Sequence, residues 1–186
     1  NNPNDQAIKV EEIPFDDGGL SGSLAEFEGF EAIAFFENQM FVTIETHHGS
    51  PMMGYLVSGT GEKNLERIEL NPSTLFEIPP QTNFVNASDE ALTIFDGKIY
   101  TFFEDNGATQ NPQPKAHVFD LGLNPKGTIS FPSIEFRVTD ATETTKEGTF
   151  WIMNYFYPGD IHLATKFDPI AAQFGEGPTH ASSERV

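Results

Sequence analysis

Residues 90–106 constrain the fold more than any other stretch. They read Glu-Ala-Leu-Thr-Ile-Phe, then Asp-Gly, then Lys-Ile-Tyr-Thr-Phe-Phe-Glu-Asp-Asn. An Asp-Gly pair between β-branched and aromatic runs predicts a two-stranded hairpin, with strands at 90–95 and 98–104. The pattern occurs three times without a gap. Glu31-Ala32-Ile33 matches Glu90-Ala91-Leu92 and Asp140-Ala141-Thr142. Ten residues after each acid stands an aromatic (Phe41, Tyr100, Phe150), and fourteen after it an oxygen-bearing residue (Glu45, Glu104, Asn154). The turns begin six residues after the acid at Glu37-Asn38 and Asp96-Gly97 and seven after it at Glu147-Gly148.

The copies are 59 and 50 residues apart. A period near 50 with one hairpin per unit predicts an all-β chain of β-propeller blades, four-stranded antiparallel repeats of about 50–59 residues. A single propeller-type domain over 1–186 divides into blades at 24–71 and 86–133 and a partial blade at 135–186. Ahead of the first blade come a short strand at 7–15 and a turn-rich linker at 16–23. The first blade's later strands are expected at 54–58 and 65–70, with residues 72–86 as a connector. The second blade's are expected at 116–120 and 128–131, around a turn at 123–127. The third hairpin, at 140–144 and 149–154, is followed by a helical insertion around 169–174, with no third or fourth strand evident. Two and a half blades leave ring edges open. Either the C-terminal segment supplies degenerate strands that close an unusually small ring, or the chain is an incomplete propeller joined to the remaining blades of a longer chain; the second is expected.

A formal charge of −18, from 28 acidic and 10 basic residues, argues against nucleic acid and anionic membrane as partners and favours divalent cations or plain solubility. The absence of cysteine excludes disulfides, zinc-thiolate sites and thiol catalysis. No apolar run approaches the 18 residues of a spanning helix, so no membrane insertion is expected. The chain opens at Asn1 without an initiator Met, which fits a trimmed N-terminus and an extracytoplasmic location, periplasmic or secreted.

In a propeller the first strand of each blade lines the central channel. Glu31, Glu90 and Asp140 then surround one axis, with Asp89 and Asn86 beside them. Converging acids repel unless a cation or a proton neutralises them, and oxygen ligands without cysteine suit Ca²⁺ or Mg²⁺ over zinc or copper. The second strand runs back to the same face, bringing Glu45, Glu104, Asp105, Asn106 and Asn154 to the channel mouth. His47 and His48 follow Glu45, so His47 and Glu45 are the candidates for proton transfer. The competing reading is structural: the acids cap strands or hold channel water, and the histidines are solvated. His117 is expected to be structural, and Trp151 to pack between blades. The run 155–157 either walls a cleft or covers an insertion. No nucleophile elbow, P-loop, dinucleotide fingerprint or zinc-protease motif is present.

Residues 86–91 (NASDEA), 100–107 (YTFFEDNG), 138–142 (VTDAT) and 150–155 (FWIMNY) resemble six-bladed propellers of the phytase-like and esterase-like group, and more distantly the calcium-dependent lactonases and paraoxonases. The resemblance spans about residues 24–160. It implies calcium held by Glu31, Asp89, Glu90 and Asp140, and hydrolysis of a phosphoester or an ester or lactone, the ion polarising the phosphoryl or carbonyl oxygen. The alternative is a non-catalytic binding or scaffold propeller with a structural acidic channel. The chain departs from the group in being far too short for six blades.

Overall fold

The computed structural model describes residues 11–47, 52–61, 66–163, 172–173 and 183–185, and over these the chain is nearly all-β. Strand β1 (Phe15–Asp16) and the short helix α1 (Leu20–Ser23) lead into β2 (Phe27–Phe36), β3 (Gln39–Thr46), β4 (Met53–Gly61), β5 (Ile68–Leu70) and β6 (Phe76–Ile78). A second sheet holds β7 (Asp89–Phe95), β8 (Lys98–Phe103), β9 (Lys115–Asp120) and β10 (Pro125–Ser130). A third holds β11 (Arg137–Ala141), β12 (Ile152–Phe156) and β13 (Ser183–Arg185). Each sheet is an antiparallel meander, apart from β1, which joins β5 in parallel. The leading strands of the three meanders, β2, β7 and β11, are neighbours in space.

Turn chemistry explains the hairpins. In the second, Asp96 and Gly97 take φ of 49° and 66°, as a type I′ turn needs. In the first, Glu37 takes φ of 56° between the paired Phe36 and Gln39. The third closes through the Gly148 N–H, which donates to the Thr145 carbonyl at 3.0 Å. Gly148 has φ of 82°, and a Cβ there would lie 2.9 Å from the Phe95 ring, so both backbone and packing require glycine.

The outer strands differ from expectation. The turn after β9 comes early, at 121–124 with Leu123 at φ 61°, so the expected turn residues Pro125, Lys126 and Gly127 already belong to β10. The connector after β5 is partly strand. Asn71 caps a 3₁₀ turn at Pro72–Thr74, and the bent edge lets β5 pair with one end of β4 and β6 with the other. The third sheet gains β13, which pairs with β12. The strand expected at 7–15 survives only as Phe15 and Asp16, its start lying outside the described residues. So does most of the expected helix at 169–174, of which Ala172 and Gln173 are helical.

Bulges interrupt each leading strand, and β2 has a further one at Glu28, between the pairs Phe27–Thr46 and Gly29–Glu45. In β7 the pairing steps from Asp89–Phe103 to Ala91–Phe102, leaving Glu90 bulged. In β2 it steps from Phe30–Ile44 to Ile33–Val42, and the Thr43 hydroxyl accepts the Ala32 N–H at 3.0 Å, so the bulge falls at Glu31. In β11 it steps from Val138–Asn154 to Asp140–Met153, which puts the bulge at Thr139, one residue before the aligned acid.

Apolar faces fill the space between sheets. Ala32, Phe41, Leu56 and Ile78 of the first meet Leu92, Ile99 and Phe119 of the second. Ala91, Phe102 and Ala116 meet Ile134 and Val138, with Phe150 stacked on Phe102 at 5.3 Å. Phe119 is buried and packs edge-to-face on Phe76, whereas Ile129 on β10 is half exposed. Phe119→Ala should therefore cost about 3–5 kcal/mol in urea denaturation, and Ile129→Ala less than about 0.5 kcal/mol.

Candidate functional site

The two bulges and the two strand ends deliver glutamates to one place. Oxygens of Glu31, Glu45 and Glu90 lie within 4.8 Å of one another. Glu104 completes the group next to Glu90, its amide N–H donating to the Ser88 carbonyl at 2.8 Å, one pair beyond the end of the β7–β8 ladder. Glu45 and Glu104 are buried, and Glu31 is the least buried of the metal-spaced trio.

Electrostatics follow from burial and crowding. Two carboxylates at this separation repel by about 3 kcal/mol at an effective dielectric of about 20. Burial, then the charges of Glu31 and Glu104, push Glu45 up to about 7. Burial, then Glu104, Glu45 and Glu31, push Glu90 well above the carboxylate range. Burial also raises Glu104 and outweighs the opposing charge of Arg137. Glu31 is raised by burial and by Glu28. Oε2 of Glu104 is buried and receives no fixed N–H or O–H, so a proton held on Glu90 is the donor that can reach it.

Arg137 is the cation of this region. Its Nη1 donates to Glu104 Oε1 and its Nε to Asp160 Oδ2, each at 2.6 Å, and the guanidinium lies 5.5 Å from the centre of the Tyr157 ring. Burial disfavours its charge, but the bonds to Asp160 and Glu104 outweigh that and keep it protonated. The sequence holds one signal for it: it is the lone basic residue between Lys126 and Lys146.

The other expected site residues stand outside the trio of Glu31, Glu45 and Glu90, with Asp105 and Asn86 near Glu104. Asp89 is buried, accepting from the Thr101 hydroxyl at 2.7 Å with His117 Nδ1 at 3.5 Å. Asp140 is exposed and accepts the Ala141 N–H. His47 lies 3.8 Å from Glu28, and His48 falls outside the described residues. Asn154 is buried and donates to the Arg137 carbonyl at 3.2 Å. Asn106 is buried and donates to the Phe103 carbonyl, and Asp105 accepts the Gly107 N–H at 3.2 Å. Asn86 is exposed at the rim of a cavity that Glu104 also lines. Trp151 is 64 % exposed.

Four carboxylates with raised proton affinity can take up protons or a hard cation. No described helix is long and apolar enough to cross a membrane. The chain matches no protein-family model and no curated protein.

Between pH 4.5 and 7 the folded cluster binds more protons than the unfolded chain, so without metal its contribution to stability falls as pH rises. Urea unfolding in chelator should show a loss on the order of 2 kcal/mol from pH 5 to pH 8, and Glu90→Gln should reduce that slope, leaving the part carried by Glu45 and Glu104.

Proposed function

We propose that the chain is part of a β-propeller whose channel mouth binds a hard divalent cation of the calcium type, used to hydrolyse a phosphoester or an ester or lactone. The observation that carries the reading is the convergence of Glu31, Glu45 and Glu90, with Glu104 adjoining. Carboxylate oxygens without sulfur or an imidazole in the trio suit Ca²⁺ or Mg²⁺ over zinc or copper.

Three meanders with adjacent leading strands support a reading as consecutive blades near 24–71, 86–133 and 135–186, although the first sheet also takes in Phe15–Asp16 and Phe76–Ile78. The two flanks support further blades. Phe15, Phe30 and Ile33 line an apolar groove outside the first sheet, and Trp151 and Met153 are exposed on the third. Remaining blades of a longer chain would cover both.

Glu31, Glu45, Glu90 and Glu104 would hold the ion, which would supply Lewis-acid polarisation of the substrate oxygen. Before the ion binds, Glu45 and Glu104, each pushed up to about 7, can hold or release a proton near neutrality, and the ion would displace those protons. The rival reading is a module that binds a cation without turnover. The placement of His47 against Glu28 favours it, since that imidazole is engaged beside a different acid.

Calorimetric titration with Ca²⁺ tests the site. Saturable binding at or below millimolar Ca²⁺ is expected, weakened at least about tenfold by Glu45→Gln or Glu90→Gln. Asp140→Asn, whose side chain is bound to its own neighbour, should stay within about twofold of the parent. Absence of heat at millimolar Ca²⁺ would sink the proposal. Calcium-dependent cleavage of p-nitrophenyl phosphate or p-nitrophenyl acetate separates the hydrolase from the binding module.

A further inference from the structure

The third sheet departs from the paired glutamates, and it does so at a cavity. In the first two sheets the bulged residue is Glu31 or Glu90. The residue before each bulge pairs with Ile44 or Phe103, and the next residue along the second strand is Glu45 or Glu104. In the third sheet the bulge holds Thr139, and the residue that follows Asn154 is Tyr155. A hydroxyl pair thus stands where the other sheets place a carboxylate pair. Thr139 and Tyr155 line a cavity of about 340 Å³ with Asn86, Glu104, Arg137 and Tyr157. Glu104 is the wall shared with the acid cluster.

The lining selects a class of ligand. The volume is at the small end for organic ligands, enough for one ring. Two phenols, a hydroxyl and an amide both donate and accept hydrogen bonds, as a polyol requires. Arg137 spends Nε and one Nη1 N–H on carboxylates, and its other N–H groups can donate to an uncharged oxygen. An anion fares badly here. The one cation in the wall is already paired with two acids, and Glu104 and nearby Asp160 repel negative charge. Tyrosine rings add faces on which the C–H side of a sugar can rest.

We propose that this cavity is a subsite for an uncharged, hydroxyl-rich ring, a sugar or a cyclic polyol, seated beside the cation site. The inference builds on the proposed function in making this ring part of the substrate, but binding of the ring itself needs no metal. Where the metal-dependent step acts on a phosphoester, the phosphate lies toward Glu90 and Glu104 and the polyol toward Tyr155.

Isothermal titration with methyl β-D-glucopyranoside in chelator tests the subsite directly, with its 6-phosphate as the charged counterpart. The neutral glycoside should bind with millimolar affinity, and the phosphate at least about tenfold more weakly. Tyr155→Phe keeps the ring and removes the hydroxyl, and it should weaken the glycoside about fivefold while leaving Ca²⁺ affinity unchanged. Equal binding of the two probes in chelator, an unaltered Tyr155→Phe variant, or no saturation by the glycoside would overturn the proposal. Glycoside binding without Ca²⁺ binding would remove the cation reading and leave the subsite standing.

Discussion

Packing glutamates against one another at the junction of two sheets is the costliest feature of this molecule, and its surroundings are organised to tolerate it. A buried carboxylate needs a partner, a proton or an ion. Glu104 has Arg137, anchored in turn by Asp160, so one guanidinium joins the end of the second sheet to the third. Glu90 and Glu45 have no such partner and hold their protons above the usual range instead. The backbone reinforces the arrangement. The Val138 N–H donates to the Glu104 carbonyl at 2.9 Å and the Ile134 N–H to the Asn106 carbonyl at 3.1 Å, so the second sheet's strand end is stitched to the third.

Such strain is hard to explain as stability alone. An apolar junction of the same volume would be neutral or better for folding. The sheets on either side show that the chain can build one: Ala32, Phe41, Leu92 and Ile99 lie a few residues from these acids in ordinary apolar packing. Glu45 and Glu104 occupy matching places in two separate sheets, each one residue past the partner of the residue that precedes a bulged glutamate. Two independent sheets arriving at the same unfavourable arrangement point to a requirement for the acids themselves.

Much of this was legible in the chain, and the misses have specific causes. Two hairpins were readable because turn residues carry their own backbone geometry, so strands on either side of Glu37 and of Asp96-Gly97 fall where alternation puts them. Glu31, Glu45, Glu90 and Glu104 could be grouped because antiparallel strands return to the face they left. The third hairpin misled because a bulge leaves no mark on composition. Asp140 and Phe150 align perfectly with Glu90 and Tyr100 in text, yet the extra residue sits at Thr139, and Phe150 stacks back on Phe102. A one-residue displacement reverses which face each side chain joins. Arg137 was out of reach for another reason: its partners lie 33 and 23 residues away, and no local pattern announces a contact of that span.

That one-residue shift also decides the character of the site. Had the bulge fallen at Asp140, a fifth acid would have joined the cluster, and its repulsion would have fallen on groups already protonated by their neighbours. Placing Thr139 there, and Tyr155 opposite, ends the ring of charge after two sheets. The carboxylates then face a hydroxyl-lined wall in place of more carboxylates, with Arg137 holding the boundary between them. A site that is acidic on one side and neutral on the other can position two unlike parts of one molecule, which a fully acidic ring could not.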